Sequence, residues 1–319
     1  METEVVGIES PVRGPRILAN SIPKSGTHLL LRLLTLLDFD LVDFGGLRPR
    51  PVGERGSGRV DKLLRRLTGA REPGRFLGIG PHLVESGRFP QMRRVLRTRG
   101  PEKVTVGVEF PREIGRRWLE GRLGRVPEGA VVSAHCVYSP GFAGILREQG
   151  FRVVCILRDP RDTALSHMHY LKSLPRHPAY REYMSLPGDH ERLMFSIRGG
   201  RLGRHVMRSL EERYRGFMEW EEEGGALMVR FEDLVGPKGG GSGEAQRRTV
   251  VRVAGHLGIR LDDERVEEIC EGLFGAGRTF RRGRRGGWRE EFSAEHVEAV
   301  KEVAGDLLVD LGYERDRRW

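Results

Sequence analysis

The stretch Pro23-Lys24-Ser25-Gly26-Thr27-His28 carries the residue types that hold an anion. It separates an apolar, strand-like run at 16–22 from a strongly apolar, helix-like run at 27–39. Amides at a helix N-terminus point outward unpaired, and the helix dipole adds positive potential there. Gly26 lets the backbone approach a ligand, Lys24 adds a point charge, and Ser25 and Thr27 add hydroxyl donors. Together they suit a phosphate. The order differs from the GxxxxGK[ST] phosphate loop, because the lysine precedes a single glycine. An ordinary helix capped by Ser25 or Thr27, with an exposed lysine, is the alternative reading.

A second constellation is Arg158-Asp159-Pro160-Arg161-Asp162-Thr163-Ala164-Leu165-Ser166. It lies where the apolar run at 152–157 hands over to a helix-like segment at 162–174. Open α/β sheets bind ligands beyond the carboxyl ends of their strands, and Arg158 falls at such an end. A guanidinium there grips a phosphate bidentately, and Ser166 on the helix adds a donor. The competing role for Arg158 is an ion pair with Asp159 or Asp162.

The surrounding elements must hold these residues together. Strands are expected at 16–22, 105–110, 130–135, 152–157 and 226–234. Helices are expected at 27–39, 61–68, 162–174, 247–259 and 294–311. Strands alternating with helices predict a doubly wound α/β fold, three-layered α/β/α with a central parallel sheet and a P-loop-like strand–loop–helix. Residues 1–15 read as a flexible leader and 16–319 as a single domain. The Gly/Arg/Pro-rich stretch at 45–75 reads as a mobile loop, either a lid or substrate loop or a disordered excursion, 177–195 as a lid-like segment, and 236–246 as a flexible glycine loop.

At this point the chain resembles the sulfotransferases that use 3′-phosphoadenosine 5′-phosphosulfate (PAPS). The PKSGT run is similar to their 5′-phosphosulfate loop, and RDPRDTALS, with Arg158 and Ser166 eight residues apart, to their 3′-phosphate motif. RFEDL (230–234) and RRGRRGGW (281–288) resemble later motifs in the same order. The resemblance implies that Lys24 contacts the bridging oxygen and stabilises the leaving phosphate. It implies that Ser25, Gly26, Thr27 and the neighbouring His28 hold the 5′-phosphate. Arg158, Ser166, Arg281, Arg282 and the Gly283 amide would bind the 3′-phosphate. His135 stands where the family has its catalytic base. That role suits the chemistry, because an imidazole takes a hydroxyl proton near neutral pH. His167 and His169 compete for it from the helix after Arg158. Leu29, His28, Ser133 and Gly287 depart from the family's pattern, and Tyr214 is the nearest counterpart of its adenine-contacting tyrosine.

The expected reaction is in-line sulfuryl transfer from PAPS to a hydroxyl or amine. Positioning and charge stabilisation dominate such transfers, and a sulfuryl group carries less charge than a phosphoryl group, so no metal is expected. The implied acceptor is a small molecule or glycan, and residues 289–298 loosely resemble a dimer motif, which leaves a homodimer open. The alternatives are an ATP-dependent kinase, with Glu109 or Glu232 as its metal-binding acid, or a non-catalytic nucleotide-binding relative.

Composition sets the outer limits. The chain has 319 residues, 38 % of them hydrophobic, enough for one large core. Its net charge is +10, and six of its 55 basic residues are lysines. That excess draws polyanions without choosing among them, and no nucleic-acid-binding signature accompanies it. Cys136, Cys155 and Cys270 form no CxxC pair, which suits the cytoplasm. No secretory signal or membrane-length apolar run is read in the sequence.

Overall fold

The computed structural model describes residues 14–42, 102–109, 111–175, 177, 179–203, 205–273 and 285–319. Residues 1–13 of the expected leader, the 45–75 loop with its 61–68 helix, and Arg281, Arg282 and Gly283 lie outside the described residues.

The central sheet uses β1 (Arg16–Ser21), β2 (Asp40–Leu41), β5 (Ala130–Ala134), β6 (Phe151–Leu157) and β9 (Leu227–Arg230). Its order is β2-β5-β1-β6-β9, and every pairing is parallel. Two antiparallel ribbons stand apart from it: β3 (Lys103–Val106) with β4 (Arg112–Gly115), and β7 (Gly200–Leu202) with β8 (His205–Met207).

Alternation along the strands builds two cores. Ile17 and Ala19 of β1, with Val154 and Ile156 of β6, point to one face; Leu18, Val153, Cys155 and Leu157 point to the other. Side chains alternate across a strand, so a sheet covered on both faces reads as a continuous apolar run. On the first face lie α1 (Thr27–Leu36), α9 (Gly243–His256) and α10 (Asp263–Leu273). The second face is covered by α3 (Pro140–Glu148), α4 (Pro160–Ser173), α6 (Asp189–Arg198), α7 (Leu210–Glu222) and α12 (Ala294–Asp310), with α2 (Arg116–Leu123) beside α3. Shorter turns are α5 (Tyr180–Met184), α8 (Phe231–Leu234) and α11 (Trp288–Glu291). The expected three-layer α/β/α architecture is observed.

Several expected boundaries move for local reasons. The strand expected at 105–110 ends at Val106, because Gly107 turns the chain at φ 99°. The strand expected through Leu234 stops at Arg230, and Phe231 begins the short α8. Pro160, with its preset φ, opens α4 two residues early, and the Asp159 carboxylate caps it by accepting from Arg161 N. The glycine stretch is ordered: Ser242 caps α9 from Ala245 N, so that helix begins at Gly243 rather than at 247. Residues 177–195, expected as a lid, belong to the body of the domain; Tyr183 is fully buried and bonded to the Arg192 carbonyl at 2.9 Å.

Candidate active site

The order β5-β1-β6 puts the carboxyl ends of three adjacent strands side by side, with β1 in the middle. The helix after β1 (α1) covers one face of the sheet and those after β5 and β6 (α3 and α4) the other, and open parallel sheets form a ligand crevice where neighbouring connections part in this way. The loop after β1, His135 after β5 and Arg158 after β6 therefore meet at one rim.

The loop from Ile22 to Gly26 is a tight turn. Ser25 N donates to Ile22 O at 3.0 Å, and the Ser25 hydroxyl stands 2.8 Å from both Ile22 O and Ile156 O. Ser25 is fully buried, so its hydroxyl ties the turn to β6 instead of facing an anion as expected. It does not cap α1 either. Gly26 occupies the N-cap at φ 115° without any side-chain cap. A Cβ on Gly26 would fall 2.7 Å from Phe231 Cδ2 and 3.1 Å from Ile156 Cδ1, so both the backbone angle and the space demand glycine. In the first turn of α1, which begins at the rim, Leu29 N donates to Gly26 O at 2.9 Å. Lys24 adopts the left-handed region at φ 74°, a conformation that costs roughly 1 kcal/mol for a non-glycine residue and is met at functional turns. Its ammonium lies 4.7 Å from the centroid of the Tyr170 ring. His28 is exposed at the start of α1.

His135 is set by strand register. Asn20 pairs with Ala134 across β1 and β5, which brings Ser21 opposite His135. The His135 Nδ1 atom lies 2.8 Å from Ser21 O and 3.0 Å from Ser21 Oγ. A carbonyl oxygen only accepts, so Nδ1 carries the proton and Nε2 carries the lone pair. Ser21 Oγ in turn lies 2.7 Å from Thr27 Oγ1, which links the imidazole to the first residue of α1. Asn20 clamps the next residue: its Nδ2 donates to Cys136 O at 2.9 Å and its Oδ1 accepts from Cys136 N at 3.0 Å. Burial pushes the His135 pKa below 6.5; the Ser21 carbonyl and Glu109 oppose that shift, and Lys24 adds to it. The imidazole is therefore neutral at pH 7.

Arg158 is braced from several sides. Its guanidinium pairs with Asp162 at 3.3 Å and stacks over Phe231 at 4.6 Å. The ion pair with Asp162 anticipated as an alternative is thus present, and it orients the group. The Arg158 carbonyl accepts from the Tyr214 hydroxyl at 2.7 Å, and that hydroxyl also lies 2.8 Å from Thr163 Oγ1. Tyr214 is fully buried and spent on this bracket, so it is not the adenine-facing tyrosine. Asp162 also accepts from Gly286 N at 2.8 Å and from Trp288 N at 3.0 Å. The returning C-terminal segment is thereby fastened to the start of α4. Arg161, 1 % exposed, pairs bidentately with Asp159, bonds Glu314, and lies between the Trp288 and Trp319 rings at 4.1 and 4.5 Å. Ser166 is half-buried two helical turns beyond Arg158, on α4.

The competing histidines are committed elsewhere. His167 is fully buried against Glu109 at 3.1 Å, and His169 pairs with Glu291 at 2.8 Å near the surface. Glu232, considered as a metal-binding acid, accepts from Asp159 N at 2.9 Å and from the Tyr313 hydroxyl at 3.0 Å. Sequence reasoning missed two aromatic supports. Tyr170 lies one turn after Ser166 on α4, a spacing that would have flagged it. Phe231 belongs to the RFEDL run already noted, but nothing in that run told that its ring would lodge between Gly26 and Arg158. Among the described residues no cluster of three or more metal-ligating side chains occurs, and no helix is long and apolar enough to cross a membrane.

Residues 122–275 match the family described as the sulfotransferase domain. No curated protein sequence matches the chain significantly. Among solved structures, the chain is similar to mouse sulfotransferase SULT7A1 complexed with PAP, at TM-score 0.53 and 15 % identity over 94 % of this chain and 87 % of that one. It is also similar to retinol dehydratase complexed with androsterone and the inactive cofactor PAP, at TM-score 0.52 and 14 % identity over 94 % of this chain and 82 % of that one. A complex of retinol dehydratase with retinol and PAP gives TM-score 0.51 and 15 % identity over 94 % and 83 %. The protein is of the three-layer sulfotransferase fold.

Proposed function

We propose that this chain transfers a sulfuryl group from PAPS to a hydroxyl, or an amine, of an acceptor, with His135 as general base and Lys24 stabilising the leaving phosphate. The observation that carries this reading is the Nδ1–Ser21 O hydrogen bond of 2.8 Å. It fixes the tautomer of His135 and leaves Nε2 as the base, at the rim that also holds the anion-binding turn. The fold shared with proteins crystallised with PAP supports the choice of donor.

PAPS supplies an activated sulfuryl group bonded through oxygen to its 5′-phosphate. The acceptor oxygen attacks sulfur, the bond from sulfur to the phosphate oxygen breaks with its electron pair on that oxygen, and PAP leaves. His135 Nε2 takes the acceptor proton, which a hydroxyl must lose to react at neutral pH. The Lys24 ammonium and the first amides of α1 meet the charge that grows on the phosphate. Arg158 and Ser166 hold the 3′-phosphate. Arg281, Arg282 and the Gly283 amide, outside the described residues, complete that grip in this reading. A small hydroxyl-bearing acceptor is favoured because androsterone and retinol are the ligands in the retinol dehydratase structures. Cys136, Cys155 and Cys270 form no disulfide among the described residues, which fits a reducing cytoplasm as the compartment.

Titration calorimetry with PAP and ADP tests this reading directly. Tight binding of PAP with much weaker binding of ADP is the expected result, because only PAP carries the 3′-phosphate. Equal affinities overturn it.

A further inference from the structure

Beyond the rim lies a buried charge cluster that the proposed chemistry does not use. Glu109, 3 % exposed, sits just past the end of β3. Its Oε1 lies 3.1 Å from His167 Nε2 and 3.7 Å from an Arg213 NH1 nitrogen; His167 and Arg213 are both fully buried. His167 Nδ1 continues to Ser196 Oγ at 3.1 Å. Arg213 is tethered by its Nε to Ser209 O at 3.2 Å, and it also bonds Ser196 O. Charges this deep gain little net stability over apolar side chains of the same volume. Clusters of this kind concentrate where a protein uses a field.

The cluster adjoins the base. Val137 N donates to Gly107 O at 3.3 Å, so the segment that ends in Glu109 runs beside the segment that leaves His135. We propose that Glu109 is a positioning carboxylate for His135, whose negative charge stabilises the imidazolium formed when the base takes the acceptor proton. This rests on His135 being the base.

The surrounding groups support it. Burial works against the Glu109 charge, but His167, Arg213 and His177 outweigh it and hold the carboxyl at about 2, so it stays ionised wherever the enzyme is assayed. Its charge acts on His135 in the sense opposite to Lys24, and it also acts on Tyr170, the ring beside Lys24. The titratable and charged groups within reach of the Glu109 charge are His167 and Tyr170 from α4, Arg213 from α7, His177 from the turn before α5, Tyr183 from α5 and His135 after β5. Lys24 pushes the base toward neutrality before the reaction. Glu109 accommodates the positive charge after it. The proton taken by Nε2 is then released to solvent while His135 keeps its Nδ1–H bond to Ser21.

The test is an NMR titration of the His135 Cε1–H resonance in wild-type protein and Glu109→Gln, which needs no acceptor. Removing the negative charge should move the His135 midpoint to lower pH. With PAPS and 2-naphthol as the probe acceptor, the acid limb of kcat/KM should move the same way and kcat should fall about tenfold. An unmoved midpoint overturns the proposal, even if the variant is slower, because a purely structural role leaves it in place. If Glu109→Gln does not fold, Glu109→Asp retracts the same charge, and an unmoved midpoint there is equally decisive. In a His135→Asn background, Glu109→Gln should cost nothing further. An undiminished cost there shows that Glu109 does not act through His135, whereas full activity of His135→Asn alone overturns the base assignment instead.

Discussion

The two flanks of β1 are built differently. On the β5 side, His135 is held by groups adjacent in strand register: Ser21 at 2.8 Å, and Asn20 on the next residue at 2.9 and 3.0 Å. On the β6 side, Arg158 is held by parts of the chain far apart in sequence. Phe231 lies under its guanidinium, Tyr214 anchors its carbonyl, and Asp162 ties it to Gly286 and Trp288. His135 is fastened at one ring nitrogen, Nδ1, which leaves Nε2 for the base role proposed above. Arg158 is cross-braced, as the bidentate phosphate contact proposed for it would require. Lys24, on the turn between them, holds its ammonium 4.7 Å from the centroid of the Tyr170 ring.

The largest expected effect breaks the contrast on the β5 side. His135→Ala should lower turnover by about 10²–10⁴-fold while PAP affinity, read by calorimetry, stays within a few-fold of wild type. Activity equal to wild type would remove His135 as the base. In the wild type, kcat/KM should hold steady from neutral pH downward and fall only below pH 6.5, because a depressed pKa keeps the imidazole unprotonated down to that range.

A smaller effect tests the other flank. Arg158→Ala should weaken PAP by roughly 10–100-fold, the worth of charge-assisted hydrogen bonds, and AMP far less. Equal losses for both ligands would take the 3′-phosphate away from Arg158. The smallest effect sharpens the idea of bracing. Tyr214→Phe removes the donor to the Arg158 carbonyl and should cost about 1–2 kcal/mol in urea unfolding, with a modest loss of PAP affinity and no change in the pH profile. A shifted acid limb in that variant would mean that the two flanks are coupled and not separate.

Much of this arrangement was legible in the residues themselves. The strand–turn–helix around Lys24 follows from an apolar run, a breaker cluster and a second apolar run. The handover at Arg158 follows from a run covered on both faces, ended by Asp159-Pro160. What failed were side-chain roles that depend on neighbours in space. Ser25 looks like an anion donor, but its hydroxyl faces Ile156 O. Tyr214 looks available to adenine, but the core takes it. Residues 177–195 mix aromatics and charges as a lid does, yet the buried partners of Tyr183 and His177 hold them in the body.

The sequence by itself determined the alternation of strands and helices, the two strand-to-helix handovers and the residue types they carry, because periodicity, capping and breaker residues act over a few positions. Only the tertiary structure decided that β1 lies between β5 and β6, which nitrogen of His135 bears the lone pair, and that Glu109 joins a buried cluster with His167 and Arg213. Each of those depends on strand order and register, which bring together residues that sequence spacing alone cannot relate.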